Sequence, residues 1–409
     1  MKLITNLDKA KFQKFNENHP YGQILQSEEW GQFKSKGAWK YELVGLEDDT
    51  NELVGVAMLL IRKLPVVNKY MYYASRGFVC DFSNLELVTT FTKELTTYVA
   101  KNKGIMLKID PCVIYQERDV DGELVEGGFD NKKLVKHLLD LGYKHKGITL
   151  DFDGVQPRFV YKLPLDRPLD DLLKNFHHKT RYNIKIAAKK GIEIYEGTRE
   201  DLVEFERIMK ITGQRDGFIT RPLSYFEDMY DVLEPKGKFK LYMARYNVAS
   251  ALLNTQEILA KELTKTKKRD ENRIEKLTKE EAQLKELSDA HPQGIIVSGT
   301  IMLVNGKNAC YLYGASDNLY RNIMPNYLIQ WQMIQDAYNM GCTMYDFRGI
   351  SGDRSPDNHL YGLYRFKRGF TGEFVEYIGE FDYITNSFYY TCFEWGVPKV
   401  KELVRKLKK

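Results

Sequence analysis

The densest run of chemistry-bearing side chains in the sequence is Lys174 to Lys190, KNFHHKTRYNIKIAAKK. It is rich in base and holds no acid. Phe176, Tyr182, Ile184 and Ile186 are interleaved with His177, His178, Lys179, Arg181, Lys185, Lys189 and Lys190. That pattern fits a helix packed on a sheet with its cations outward, and equally phosphate contact with a polyanion; the two are compatible. His177 and His178 are not expected to share a metal, because adjacent side chains on a helix point apart. A second basic run closes the chain with Lys399, Lys401, Arg405, Lys406, Lys408 and Lys409. It reads either as a solvated helix face or as a contact for an anionic membrane surface.

Other chemistries are excluded by spacing. Cys80, Cys112, Cys310, Cys342 and Cys392 lie far apart, with no CxxC and no Cys/His pair at zinc spacing. Unbridged thiols in a reducing cytosol follow, most of them buried among apolar neighbours, and no metal is expected. No G-x-G-x-x-G or Walker A sequence follows a strand. A Gln/Arg-x-x-Gly-x-Gly/Ala turn for the pyrophosphate of coenzyme A has one candidate, Gln214-Arg-Asp-Gly217-Phe-Ile219, which fails at its last position. If this chain transfers acyl groups, coenzyme A is not the expected donor, and no cofactor is expected.

The chain that must position such groups has 409 residues, 43% of them hydrophobic, enough for two to four units each burying a core. Its net charge of +5 is mild, so the uneven placement of charge carries more information than its sum. A mean hydropathy of -0.45 and the lack of an uninterrupted apolar run exclude an integral membrane protein. The opening MKLITNLDK acquires an acid before an apolar signal core can form, so no secretory peptide is expected and the location read is cytoplasmic.

From about Asn247 to Ala290 glycines and aromatics vanish, and Leu252, Leu259, Thr266, Leu277 and Leu284 recur at heptad spacing. This predicts a helical hairpin arm over 247–291, reversing near Lys268 to Asn272. Strands are expected on either side, Lys238 to Arg245 and Gly294 to Val304, with Asn305-Gly306 as a type I′ turn into Asn308 to Gly314. The arm is therefore an insertion at a hairpin.

An internal repeat is visible as well. Lys40 to Leu46 and Leu53 to Arg62 form a hairpin that precedes a helix over Leu85 to Lys101 and a strand ending at Asp110. The hairpin at Asn305-Gly306 precedes a helix over Pro325 to Asn339 and a strand ending at Asp346. The fold class is α/β (α+β): two tandem GCN5-related acyltransferase-like domains, 1–150 and 151–380, the second interrupted by the coiled-coil arm. A segment over 381–409, with a helix from Trp395 to Lys409, is expected to return to the first domain with an outward basic face.

Six segments, in order along nearly the whole chain, resemble the Fem family of aminoacyltransferases. They are Gln26-Ser-Glu-Glu-Trp30-Gly31-Gln-Phe-Lys34, Lys-Ile-Asp110-Pro111, His178-Lys-Thr-Arg181-Tyr-Asn183-Ile-Lys-Ile-Ala187 with Gly191, Arg215-Asp-Gly-Phe, Tyr313-Gly-Ala-Ser316 and Tyr364-Arg-Phe366-Lys367-Arg-Gly-Phe-Thr-Gly. The resemblance implies building of the peptidoglycan cross-bridge from aminoacyl-tRNA. The arm resembles members whose acceptor is lipid II rather than the soluble UDP-linked precursor. It further implies Lys367 for the oxyanion and tRNA terminus, Phe366 stacking on the terminal base, and Asp110 at the base position, where Asp before Pro is also a turn initiator. Lys34 and Arg215 match residues that grip the acceptor's diphosphate, and Tyr313 an aromatic near the stem peptide. Lys179, Arg181, Lys185, Lys189 and Lys190 become the tRNA-facing cations, and peripheral contact with the inner face of an anionic membrane is expected. Two other readings are open: the same fold with another donor or acceptor, and a non-catalytic adaptor that recognises a cell-wall precursor.

Overall fold

The computed structural model describes residues 1–265 and 269–396. Two eight-stranded sheets organise it. The first runs, edge to edge, through Lys2–Thr5, Lys40–Glu47, Leu53–Lys63, Tyr70–Ala74, Gly104–Ile109, Phe381–Ile384 and Tyr143–His145, with Val79–Cys80 pairing on Leu53–Lys63. The second runs through Ile192–Gly197, Phe239–Tyr246, Ile295–Asn305, Asn308–Ser316, Met344–Gly349, Phe159–Pro164, Glu373–Tyr377 and Ile114–Gln116. Each contains a hairpin followed by a helical crossover into a parallel neighbour: Tyr70–Ala74 to Gly104–Ile109 through helix Leu85–Lys101, and Asn308–Ser316 to Met344–Gly349 through helix Pro325–Asn339. The repeat thus aligns one strand further on than the sequence pattern indicates. Leu53–Lys63 with Tyr70–Ala74, rather than Lys40–Glu47 with Leu53–Lys63, matches the hairpin at Gly306.

That second hairpin also differs in its turn. The register pairs Asn305 with Asn308, so Gly306 and Lys307 are the central residues. Gly306 alone of the two has positive φ, at 55°. A type I′ turn needs positive φ at both, and Lys307 gives none, so the glycine serves as the first central residue instead.

The two sheets exchange strands. Ile114–Gln116, from the first half of the chain, pairs with Glu373–Tyr377 at the edge of the second sheet. Phe381–Ile384, from beyond the second half, lies between Gly104–Ile109 and Tyr143–His145 in the first. The C-terminal segment therefore returns as a strand before it turns helical at 387–396, where Tyr390 and Phe393 pack on Leu64, Ile105 and Met106. The helix expected over Trp395 to Lys409, with its basic tail, lies outside the described residues from 397 onward. A shared core joins the halves. Trp30 and Phe33 pack in one cluster with Phe205, Phe226, Met243 and Ile301, so apolar burial holds the first unit's helix Glu28–Ser35 against the second unit's helix Leu223–Leu233.

The arm is two helices, Val248–Leu263 and Glu271–Ala290, inserted between the paired strands Phe239–Tyr246 and Ile295–Asn305. Gln256 bonds Glu281 and Glu262 meets Arg273, so partners approach as the chain advances and the helices run antiparallel. The buried seam on the first helix is Ala251, Thr255, Leu259 and Glu262, while Leu252 is only half-buried, rotated toward the core beneath. Leu277 and Leu284 are buried as expected from their heptad spacing; Thr266 and Lys268 fall outside the described residues. Among the described residues no helix is long and apolar enough to cross a membrane.

Candidate active site

The segment Gln26 to Lys34 is built to aim its last residue. The amide of Gln26 is fully buried: it donates to the carbonyls of Met58 (3.2 Å) and Ser75 (2.9 Å) and accepts from Met58 N–H (2.9 Å). Ser27 then caps helix Glu28–Ser35, its hydroxyl accepting from Trp30 N–H at 3.0 Å. Lys34 emerges on the last turn with its ammonium 5.8, 5.4 and 5.3 Å from the ring centres of Trp30, Phe33 and Tyr225. Burial, with the cations of Arg221 and Arg62 nearby, pulls its pKa down to about 8.

Tyr225 links this cage to the second half of the chain. Its hydroxyl lies 3.2 Å from that of Tyr313. Beyond Tyr313, the hydroxyl of Ser316 accepts from Arg215 at 3.2 Å. The structure thus brings Lys34 and Tyr313 together through Tyr225, while Arg215 is tied to the same strand three residues further on, at Ser316. Arg215 is also paired with Asp216 at 2.7 Å, the bland partner its sequence neighbour offers. Tyr225 was missed by sequence reasoning, because no spacing motif marks it; only the fold carries it to Lys34.

Phe366 and Lys367 lie on helix Tyr361–Arg368. They are not at the end of a strand, and Lys367 is not solvated: it is 4% exposed, with Nζ donating to Gly349 O at 2.6 Å and 5.7 Å from the ring centre of Tyr311. Desolvation brings its pKa down to about 7, opposed by Asp346 and aided by Arg348. A buried ammonium so close to neutrality can act as a cation toward developing negative charge, or exchange a proton at little cost. Phe366 is half-buried, edge-on to Tyr327 (4.9 Å) and Phe370 (5.6 Å). Asp346, which accepts from Arg348 N–H at 2.6 Å, is the partner sequence reasoning left without a role; its signal was its place in the second copy of the repeat, although the strand expected to end there runs on to Gly349.

Asp110 is bonded to other partners. It is 1% exposed, and its two oxygens accept from Arg76 N–H (2.6 Å) and the Tyr73 hydroxyl (3.0 Å). Burial raises its pKa to about 6 against the lowering influence of Arg76. Arg76 has φ of 56°, so one visible task of Asp110 is to hold a left-handed turn. Among the described residues no hydrogen bond or ion pair joins Asp110 to Lys367 or Lys34.

Helix His178–Lys189 presents Lys179, Lys185 and Lys189 to solvent, with Lys190 half-buried at its C-cap. Phe176 and Ile184 are buried, but Tyr182 is 63% exposed and stands among the lysines instead of packing on the sheet. Arg181 is not a free cation. Its guanidinium donates to the carbonyls of Lys174 and Phe176, both at 2.5 Å, satisfying the end of helix Leu169–Asn175. His177 is the N-cap rather than a helical residue, so its ring lies 4.2 Å from that of His178 instead of diverging from it. Among the described residues no three of His, Cys, Asp and Glu gather as metal ligands.

The model of the FemAB family matches residues 7–395. The lipid II:glycine glycyltransferase of Staphylococcus epidermidis is 34% identical over 428 residues, covering 98% of this chain and 99% of that protein. The crystal structure of FemX superposes with a TM-score of 0.78 at 33% identity, covering 96% of this chain and 100% of that one. A tandem GNAT protein from the clavulanic acid biosynthesis pathway superposes with a TM-score of 0.50 at 10% identity, covering 94% of this chain and 98% of that chain, which supports the doubled acyltransferase fold alone.

Proposed function

The chain belongs to the FemAB family and is an aminoacyltransferase, and from that premise we propose that it transfers an amino acid from aminoacyl-tRNA to the stem-peptide amine of lipid II. Glycine is the first amino acid to test, by similarity to the relatives. The observation that carries the reading is Lys367, buried beside an aromatic and held by a backbone carbonyl, with its pKa near 7. An aminoacyl ester is already activated, so the enzyme needs no nucleophile of its own. The acceptor amine attacks the ester carbonyl, the C–N bond forms, the C–O bond to the ribose breaks, and the amine proton leaves with the ribose hydroxyl or through a carboxylate. Lys367 as ammonium meets the oxyanion of the tetrahedral intermediate, and Phe366 offers its exposed edge to the terminal base. Lys34 and Arg215 hold the diphosphate, with Tyr313 and Tyr225 beside the pentapeptide. Asp110 is retained as a candidate base through its raised pKa. The outward lysines around Tyr182 suit the tRNA backbone.

The test incubates the protein with labelled Gly-, Ala- or Ser-tRNA and either lipid II or the UDP-linked precursor, and follows label into acceptor. Ribonuclease-sensitive transfer to lipid II supports the reading. Transfer only to the soluble precursor keeps the chemistry and removes the lipid acceptor; no transfer from intact donors leaves the adaptor reading.

A further inference from the structure

Two acid-free stretches that are separate in sequence lie side by side in the fold. Lys34 to Lys40 carries Lys34, Lys36 and Lys40, and Arg62 to Lys69 carries Arg62, Lys63 and Lys69. The antiparallel register pairs Lys40 with Ile61, and the Arg62 guanidinium lies 5.7 Å from the ring centre of Trp39. None of these cations is in a salt bridge among the described residues. Like charges assembled with few carboxylates repel, and at Lys34, where burial is the larger cause, the neighbouring cations Arg221 and Arg62 add to the disfavouring of the ammonium. Such a patch is complementary to a surface of many anions.

Apolar tips flank the same patch. Between Arg62 and Lys69 the chain turns at Val66, which is fully exposed and has φ of 69°. A β-branched residue in the left-handed region and in water is unfavourable on both counts. Next to the Lys34 cage, Phe218 and Ile219 are 46% and 65% exposed in the loop that leads to Arg221, whose guanidinium lies 5.1 Å from the ring centre of Tyr225. A nucleic acid would answer the cations but leave these tips in water. A bilayer answers both, with lipid phosphates meeting lysines and acyl chains receiving the tips.

We propose that this face, formed by residues 34–40, 62–69 and 218–221, lies on an anionic lipid bilayer, so that a lipid-linked diphosphate enters the Lys34 cage directly from the headgroup plane. The proposal rests on the reading of a lipid-linked acceptor and adds to it which surface meets the membrane.

The test is co-sedimentation of the full chain with phosphatidylcholine vesicles with and without phosphatidylglycerol. Binding should require the anionic lipid, and Lys36→Gln with Lys63→Gln should weaken it about fivefold for each lysine removed. Val66→Asp should weaken it further. In a Cys392→Ala background, Val66→Cys labelled with an environment-sensitive fluorophore should shift its emission to the blue on anionic vesicles. Circular dichroism and thermal melts of the same variants monitor their folding, and vesicle binding is read independently of any transfer, so a failed acceptor assignment is distinguishable from a failed surface. Vesicle binding unchanged in all these variants, no fluorophore shift, or loss of tRNA binding in place of vesicle binding would overturn the proposal.

Discussion

Tyr311 and Tyr313, two residues apart on strand Asn308–Ser316, face opposite sides of their sheet. In a regular strand they would share a face. The register against the neighbouring strand slips between Ile301 and Met302, leaving Leu312 as the extra residue of a β-bulge. Tyr311 therefore lies against Lys367, while Tyr313 joins the cluster that contains Trp30 and Phe33 and reaches Tyr225. One strand thus supports both the lysine assigned to the ester and the cage assigned to the diphosphate.

Gly314 makes room for this arrangement. A Cβ there would stand 1.7 Å from the Tyr311 hydroxyl, so the half-buried Tyr311 ring must shift to admit it. Gly314→Ala should push Tyr311 onto Lys367. It should lower kcat by about tenfold or more, a displacement cost, with the acceptor KM changed far less. Steady-state kinetics of the purified variant decide it, and a changed KM at constant kcat would contradict the assignment.

Lys367→Met should reduce transfer by about 10² to 10³, the usual cost of one oxyanion donor. Its effect on stability carries a sign. The folded pKa is depressed from 10.5 to about 7, so between those values the unfolded chain binds the proton and the folded chain does not. Stability from this group therefore rises with pH across that window, and the buried charge is most costly below it. The variant should gain stability over the parent at about pH 6, on the order of 1 kcal/mol or more, and lose the advantage toward about pH 10. Urea midpoints at both ends measure it, and a difference independent of pH would remove Lys367 as a buried cation.

Affinity for the acceptor should fall as pH rises through about 8, where free Lys34 loses its charge. Lys34→Arg keeps a charge throughout this range and should flatten that dependence, while Lys34→Met should raise the acceptor KM by about tenfold below about pH 8 and by progressively less above it, where the parent's lysine is itself neutral. The donor KM should stay within about twofold. KM for each substrate against pH gives the result.

The cations of helix His178–Lys189 should separate into two kinds. Lys179→Gln, Lys185→Gln and Lys189→Gln together should raise the donor KM and flatten its logarithmic salt dependence by about 2 to 3 units. Arg181→Gln should leave that slope nearly unchanged and instead cost about 0.5 to 1.5 kcal/mol of stability, because two partly solvated carbonyls lose their donor. Donor titrations at several salt concentrations, with thermal melts, separate the two.

Local pattern determined much of this protein. Helices Leu85–Lys101 and Pro325–Asn339 have the expected bounds, because their apolar periodicity and caps are properties of contiguous residues. The arm's insertion between two paired strands was legible for the same reason, as composition changes abruptly at both of its ends. The motif that holds Phe366 and Lys367 is legible in the chain, but not the burial of Lys367, since desolvation is set by what the fold packs around an ammonium. Only tertiary structure decided that strands cross between the sheets, that Tyr225 completes the Lys34 cage, and that a one-residue bulge sends Tyr311 and Tyr313 to opposite faces. The same holds for the basic face at Lys34 and Arg62. Its cations come from two segments too short to stand out in a linear scan, and the strand register Lys40 to Ile61 makes them one surface.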